Sequence, residues 1–103
     1  MSKNTRQDSK QLRAIGHKLK PVVTIAGKGL SESVLAEIDR ALSDHELIKI
    51  KLAVGDKAAR QALSNTLCTA ARAELIHSIG AVIVILRRSE QPDPRLSNLI
   101  RRV

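Results

Sequence analysis

The chain of 103 residues has the length of one domain, and its core must be built from Leu, Ile, Val and Ala because Phe, Tyr and Trp are absent. A net charge of +8 favours a polyanionic partner such as nucleic acid, while the missing aromatics exclude recognition by stacking bases on Phe, Tyr or Trp. The single Cys68 excludes an internal disulfide, no apolar run approaches the roughly 20 residues of a membrane span, and the polar N-terminus predicts a cytoplasmic protein.

The first half of the chain predicts a helix, a strand and a second helix. A weak apolar stripe between residues 5 and 19 is typical of a helix. Pro21 then begins a β-branched run over residues 22–25, which favours a strand because proline is tolerated only at a strand's start. From residue 31 to about 44, apolar residues recur at helical spacing and the acidic residues fall outside that stripe, so the second helix is acidic in a basic chain.

The second half predicts a strand, a third helix and two further strands. Residues 47–52, LIKIKL, alternate strictly and place Lys49 and Lys51 on one face. A helix follows over about 57–73. Two strands hinged at Gly80 come next, and the second is apolar on both faces, which indicates an interior position. The order α-β-α-β-α-β-β predicts a single compact α/β domain with three helices and a four-stranded mixed sheet.

The last residues differ in composition from the rest. Residues 89–103 hold two prolines, several polar residues and three arginines. They predict an extended basic C-terminal tail beyond a folded domain of residues 1–88. Docking of the tail stays open because it also contains Leu96, Leu99 and Ile100.

A glycine turn joins the first strand to the second helix. The N–H groups at the start of a helix are unpaired and carry the positive end of its dipole, so this position suits a phosphate. Gly27 and Gly29 allow close approach, and Lys28 adds a charge to which Lys18 and Lys20 are expected to lie close. An ordinary turn with an exposed lysine explains the same residues. Neither G-x-x-x-x-G-K-[ST] nor G-x-G-x-x-G is present, so nucleotide hydrolysis is not predicted.

Two segments, LKPVVTIAGKGLSESVLAEIDRALSDHELIKIKL and ELIHSIGAVIVILRR, together resemble the CRM domain, specifically the stand-alone bacterial YhbY-like RNA-binding proteins. The resemblance covers residues 12 to about 88. It implies a fold similar to the C-terminal domain of translation initiation factor three, an RNA-facing G-x-x-G loop and a role in assembly of the large ribosomal subunit. The implied partner is precursor large-subunit ribosomal RNA, which we expect a monomer to bind.

Two departures from the family pattern bear on this site. Ala26 stands where the first motif glycine would be, so we expect Gly27 to take over its permissive role. Ala81 and Leu86 replace a basic residue and an aromatic that family members often carry, so contacts to phosphates are expected rather than base stacking. The predicted RNA-binding residues are Gly27, Lys28, Gly29, Lys18, Lys20, Lys49, Lys51 and Arg87.

Other functions have weaker support in the residues. No enzyme activity, metal site, cofactor or small-molecule substrate is predicted, because Cys68 has no local partner and the histidines and carboxylates fit structural or solvated positions. Lys49 and Lys51 fit protection of an edge strand as well as they fit RNA contact. A second functional hypothesis is a protein-interaction adaptor that docks on ribosomal or assembly proteins through its acidic second helix or its tail.

Overall fold

The computed structural model describes residues 8–27 and 29–100, and within them three helices and four strands follow one another in the predicted order. The elements are α1 (Ser9–Lys18), β1 (Pro21–Ile25), α2 (Glu32–His45), β2 (Leu47–Leu52), α3 (Lys57–Ala71), β3 (Glu74–Ile79) and β4 (Val82–Leu86). The predicted α/β fold class is therefore confirmed. None of the helices in these ranges is long and apolar enough to cross a membrane.

The four strands form one mixed sheet in the order β1-β2-β4-β3. β1 pairs with β2 in parallel, and β4 pairs with β2 and β3 in antiparallel fashion. β4 is interior, as its apolar residues on both faces predicted. β2 is interior as well, so Lys49 and Lys51 do not protect an edge strand, and that alternative is wrong.

Helices cover both faces of the sheet. On one face, Ile48 and Ile50 of β2 belong to a core that α2 and α3 complete. On the other face, Leu47 of β2 packs with Leu12 of α1 and with Val84 of β4. Because β2 alternates, Lys49 and Lys51 lie on the α1 face with Leu47. These lysines are therefore on the side of the sheet opposite the acidic helix α2.

Side-chain caps define where the helices begin. Asp8 and Gln11 form a reciprocal capping box at α1, with both hydrogen bonds at 2.8 Å. Ser31 caps α2 by accepting from the Val34 amide, and Asp56 caps α3. α3 ends at Ala71, two residues before the predicted end, because Arg72 adopts a left-handed conformation with φ of 56°.

Residues 93–100, named here the C-terminal segment, pack against the domain and correct the prediction of an extended tail. The Ser97 side chain is fully buried, and its hydroxyl donates to the Glu46 carboxylate. Asn98 donates from its side-chain amide to the Leu47 carbonyl at 2.7 Å, and Leu99 packs on the core that lies beneath α1. The segment docks because the buried carboxylate and carbonyl at the start of β2 need donors. Residues 101–103 of the predicted tail lie outside the described residues.

Candidate nucleic-acid interface

A groove with a volume of about 1010 Å³ runs between α1 and the C-terminal segment, above β1 and β2. Its lining combines apolar side chains with three lysines and one histidine, and it includes no acidic residue among the described ones. The lining residues are Ala14, Ile15, Lys18, Leu19, Lys20, Val22, His45, Ile48, Lys49, Asn98, Leu99 and Ile100. The groove is therefore a basic surface with an apolar interior.

Two elements and the link between α1 and β1 bring the lysines of the groove together. Lys18 is the last residue of α1, and Lys20 lies in the link that enters β1. Lys49 lies in β2 in register with Pro21, the first residue of β1. Its Nζ donates to the His17 carbonyl at 3.2 Å, where the negative end of the α1 dipole favours a cation. Three of the predicted RNA-binding lysines thus line one groove.

The basic surface continues along the outer part of the sheet. Lys51 is exposed and lies one step along β2 from Lys49 on the same face. It is in register with Thr24 of β1, which is also exposed. The sequence prediction that Lys49 and Lys51 share one face is therefore correct, and the face points away from α2.

The glycine turn lies at the opposite end of β1 from the groove. Lys18 and Lys20 precede β1 while the turn follows it, and the five residues of the strand place Lys20 and Ala26 roughly 20 Å apart. The expectation that these lysines cluster with the turn is therefore wrong. Lys28 itself lies outside the described residues.

Gly29, and not Gly27, carries the unusual backbone conformation of the turn. Gly29 has a φ of 70°, and its amide donates to the Ala26 carbonyl at 2.9 Å. Gly27 is exposed and lacks a positive φ, and a Cβ there would meet no atom within 4 Å. The expectation that Gly27 takes over the permissive role is therefore wrong, and an alanine at position 26 is tolerated because its φ is not positive.

Two helices begin at the end of the sheet that carries the glycine turn. β1 and β2 run parallel, and each is followed by a helix, so α2 and α3 both start beyond the carboxyl ends of these strands. The amide of Ala53 donates to the Ile25 carbonyl at 2.7 Å, which holds the two connections side by side. The positive ends of two helix dipoles therefore lie at this end of the sheet.

Arg87 lies at the end of the sheet opposite the glycine turn, and its side chain is hydrogen-bonded within the fold. It follows β4, whose last residue Leu86 is opposite Leu47 at the start of β2. Its guanidinium donates to the carboxylate and carbonyl of Asp39 at 2.8 and 2.9 Å, to the Ala71 carbonyl at 2.9 Å and to the Ser43 hydroxyl at 3.1 Å. These bonds join β4 to α2 and α3. The predicted RNA contact of Arg87 stays a prediction, and the groove does not include this residue.

The histidines and the cysteine do not form a metal site in the described part of the chain. His45 Nδ1 lies 2.8 Å from the Leu96 carbonyl, which ties α2 to the C-terminal segment. Across residues 8–27 and 29–100, no three His, Cys, Asp or Glu side chains are placed to hold a metal ion. Burial raises the pKa of the Cys68 thiol, so this group is protonated and weakly nucleophilic near neutral pH.

The sequence left docking of the C-terminal segment open and did not predict the wall that this segment adds to the groove. Asn98, Leu99 and Ile100 line the groove because the segment folds back. The apolar residues of an otherwise polar tail were the available signal, since such residues in a solvated tail have nothing to bury against.

Comparison with known proteins assigns the chain to a described group. Residues 5–87 match the family model described as the CRS1 / YhbY (CRM) domain. The chain is 47% identical over 97 residues to a Pseudomonas aeruginosa protein named "Probable RNA-binding protein PA4753", covering 94% of this chain and 93% of that one. It is 42% identical over 80 residues to a Haemophilus influenzae protein named "RNA-binding protein", covering 78% of this chain and 81% of that one.

A solved structure shows the same fold. The solution structure of the hypothetical protein SAV1595 from Staphylococcus aureus aligns with a TM-score of 0.73 at 34% sequence identity, covering 81% of this chain and 86% of that one. The sheet and helices described above are thus the fold that this relative adopts.

Proposed function

Because the chain belongs to the CRS1 / YhbY (CRM) domain family, we propose that it is a non-enzymatic RNA-binding protein that contacts mainly the phosphates of its target. The names of two relatives that align over most of this chain support RNA as the partner. The charge of +8 supports contact with a polyanion, and the lack of Phe, Tyr and Trp favours backbone contacts over stacking.

One observation carries the proposal. Lys18 of α1, Lys20 of the link that follows it and Lys49 of β2 line one groove whose described lining contains no carboxylate. Carboxylates are instead concentrated on α2, on the other side of the sheet. Separation of charge across the sheet gives the α1 face a positive potential, which steers a polyanion to that face.

The glycine turn provides a second contact site in this proposal. It lies at the other end of β1, with the positive ends of α2 and α3 behind it. Lys28 supplies its side-chain charge. An RNA strand that contacts both the groove and the turn follows β1 and passes Lys51, so the predicted lysines form one path rather than one cluster.

The proposed target is precursor ribosomal RNA of the large subunit, bound by a monomer in the cytoplasm during subunit assembly. Support for this finer assignment comes from the family resemblance and from the basic charge. In-cell crosslinking followed by sequencing of the attached RNA tests the target, and sedimentation of the purified protein tests the monomer. Reads spread evenly over messenger and transfer RNA would contradict the ribosomal assignment.

The RNA-binding proposal is tested by the salt dependence of binding to a structured RNA. The plot of log K against log salt concentration has a negative slope, and each phosphate contact that is lost reduces the magnitude of this slope by about 1. Lys20→Gln is expected to reduce the magnitude of the slope by about that amount, since Lys20 lies in the groove. Arg40→Gln is the matched control because it removes one exposed positive charge from α2 on the opposite face. Equal slopes in the two variants would remove the groove from the interface.

A further inference from the structure

The groove has an apolar interior that phosphate binding alone does not use. We propose that it takes an unpaired nucleotide of the bound RNA, with the base against the apolar residues and the adjoining phosphates on the lysines. This inference rests on the proposed RNA binding and adds the kind of RNA element that the site accepts.

Exposed apolar side chains in the groove supply the surface for the base. Val22 on β1 is 47% exposed and Ile100 in the C-terminal segment is 45% exposed, and both line the groove. They are two of the five large apolar side chains that are exposed in the described part of the chain. Ile15, Leu19 and Leu99 extend the same lining. Apolar area left in water at one concave place indicates a surface that a ligand covers.

The arrangement favours an unpaired nucleotide over a duplex. In an A-form helix the base faces are stacked on one another, so a duplex presents only phosphates, riboses and base edges. An unstacked base has two apolar faces, and the faces of Val22 and Ile100 can replace the water beside them. Aliphatic side chains then provide the contact that an aromatic provides elsewhere.

Charge selects RNA over an apolar peptide for the same groove. Lys18, Lys20 and Lys49 lie beside the apolar residues, and the groove lining has no carboxylate to pair with them. A nucleotide satisfies both parts of the lining at once because its base is flat and weakly polar and its phosphate is an anion. A purely apolar segment would leave three ammonium groups partly desolvated without an anionic partner.

The C-terminal segment makes the groove a composite site. Asn98, Leu99 and Ile100 form one wall, and the segment is held by the bond from Ser97 to Glu46 and by the contact of His45 with the Leu96 carbonyl. The opposite wall is α1, and the floor is formed by β1 and β2. Both walls must be in place to enclose a base.

Two matched pairs of variants test the inference. Val22→Glu and Ile100→Glu place a carboxylate in the groove, one on the floor and one on the wall. Leu75→Glu is the control for Val22→Glu, because Leu75 is a half-exposed residue of the other edge strand and pairs with Ile85 on the opposite face of the sheet. Leu96→Glu is the control for Ile100→Glu, because Leu96 is exposed in the same segment outside the groove.

The probes are a short single-stranded RNA of mixed sequence and the same strand annealed to its complement. Each groove variant is expected to bind the single strand about tenfold more weakly than its control, since it loses the apolar contact and gains repulsion from phosphate. For the duplex, each groove variant and its control are expected to lose affinity by the same factor as each other. Circular dichroism of all four variants shows whether they fold, and the Ile100 pair carries the test if Val22→Glu does not fold.

Each outcome separates this inference from the proposed function. Wild-type protein that binds neither probe contradicts RNA binding itself. Wild-type protein that binds RNA, with groove variants no weaker than their controls on the single strand, overturns the nucleotide site and leaves RNA binding in place. Equal losses on single strand and duplex within each groove variant overturn it as well, because they show only general repulsion.

Discussion

The hydroxyl of Ser97 donates a 2.6 Å hydrogen bond to Oε1 of Glu46, and both residues are buried. The second carboxylate oxygen of Glu46 accepts from the Ser89 amide, also at 2.6 Å. Glu46 follows α2 with a φ of 64° and directly precedes β2. One residue therefore ends a helix, leads into a strand and holds the last described part of the chain in place.

Replacing Ser97 tests this anchor. Ser97→Ala is expected to lower the free energy of unfolding by about 1–3 kcal/mol, because a buried carboxylate oxygen then lacks its donor. Urea denaturation measures the change. Ser78→Ala is the matched control, since Ser78 is exposed on β3 and a neutral effect is expected there. Equal stabilities of the two variants would show that the Ser97 bond does not hold the segment.

The sequence predicted the elements whose patterns are local. The alternation of residues 47–52 fixed which side chains of β2 share a face, and the apolar residues on both faces of β4 fixed its interior position. The docking of the C-terminal segment was not predictable in this way. Glu46 and Ser97 are 51 residues apart, and a single polar pair at that separation leaves no periodicity to detect.

The sequence named the lysines that line the groove but not how they are arranged in space. Lysines before and after β1 were singled out from the sequence, yet their closeness along the chain suggested one cluster with the glycine turn. A strand is extended, so Lys20 and Gly27 lie at its two ends. The hydrogen bonds of Arg87 could not be predicted either. Its partners Asp39 and Ala71 are distant in sequence, and only the fold brings them together.

Gly16 lies where α1 packs closely on the sheet, so a substitution there tests the contact between α1 and β4. A Cβ added at Gly16 would lie 2.8 and 2.9 Å from the two Cγ atoms of Val84. Val84 is buried in an interior strand and has a stiff side chain, so it cannot yield. Gly16→Ala is expected to lower the free energy of unfolding by about 1–2 kcal/mol, although alanine is the better helix former.

A double-mutant cycle with Val84→Ala isolates this contact. In the Val84→Ala background the added methyl of Gly16→Ala has space, so it is expected to be neutral or stabilising. Chemical denaturation of the wild type, both single variants and the double variant gives the coupling energy. A coupling energy near zero would place α1 farther from β4 than the structure does.

The two glycines of the turn are expected to respond differently to alanine. Gly29→Ala is expected to destabilise the fold by about 1 kcal/mol, because a side chain at φ of 70° is strained. Gly27→Ala serves as its control and is expected to be near neutral, since its Cβ would meet nothing within 4 Å. Thermal unfolding of both variants measures the difference. A larger loss at Gly27 would contradict the turn geometry.

Arg87→Lys separates a structural role of this residue from an electrostatic one. Lysine keeps the charge, but one ammonium cannot reach the acceptors on Asp39, Ser43 and Ala71 together. We expect the free energy of unfolding to fall by about 1–2 kcal/mol, mostly through the part-buried bond to the Ala71 carbonyl. The exposed Asp39 carboxylate contributes little, so Asp39→Asn is the control with an expected loss below about 0.5 kcal/mol.

RNA affinity of the same Arg87→Lys variant decides between the two roles. If the guanidinium acts within the fold, the folded variant binds RNA as the wild type does, because the positive charge is retained and the bonds at risk are internal. Affinity is measured without denaturant, at a low temperature at which circular dichroism shows that the variant is fully folded. Unchanged stability together with weakened RNA binding would instead place the guanidinium against phosphate, since bidentate contact to an anion is what lysine cannot reproduce.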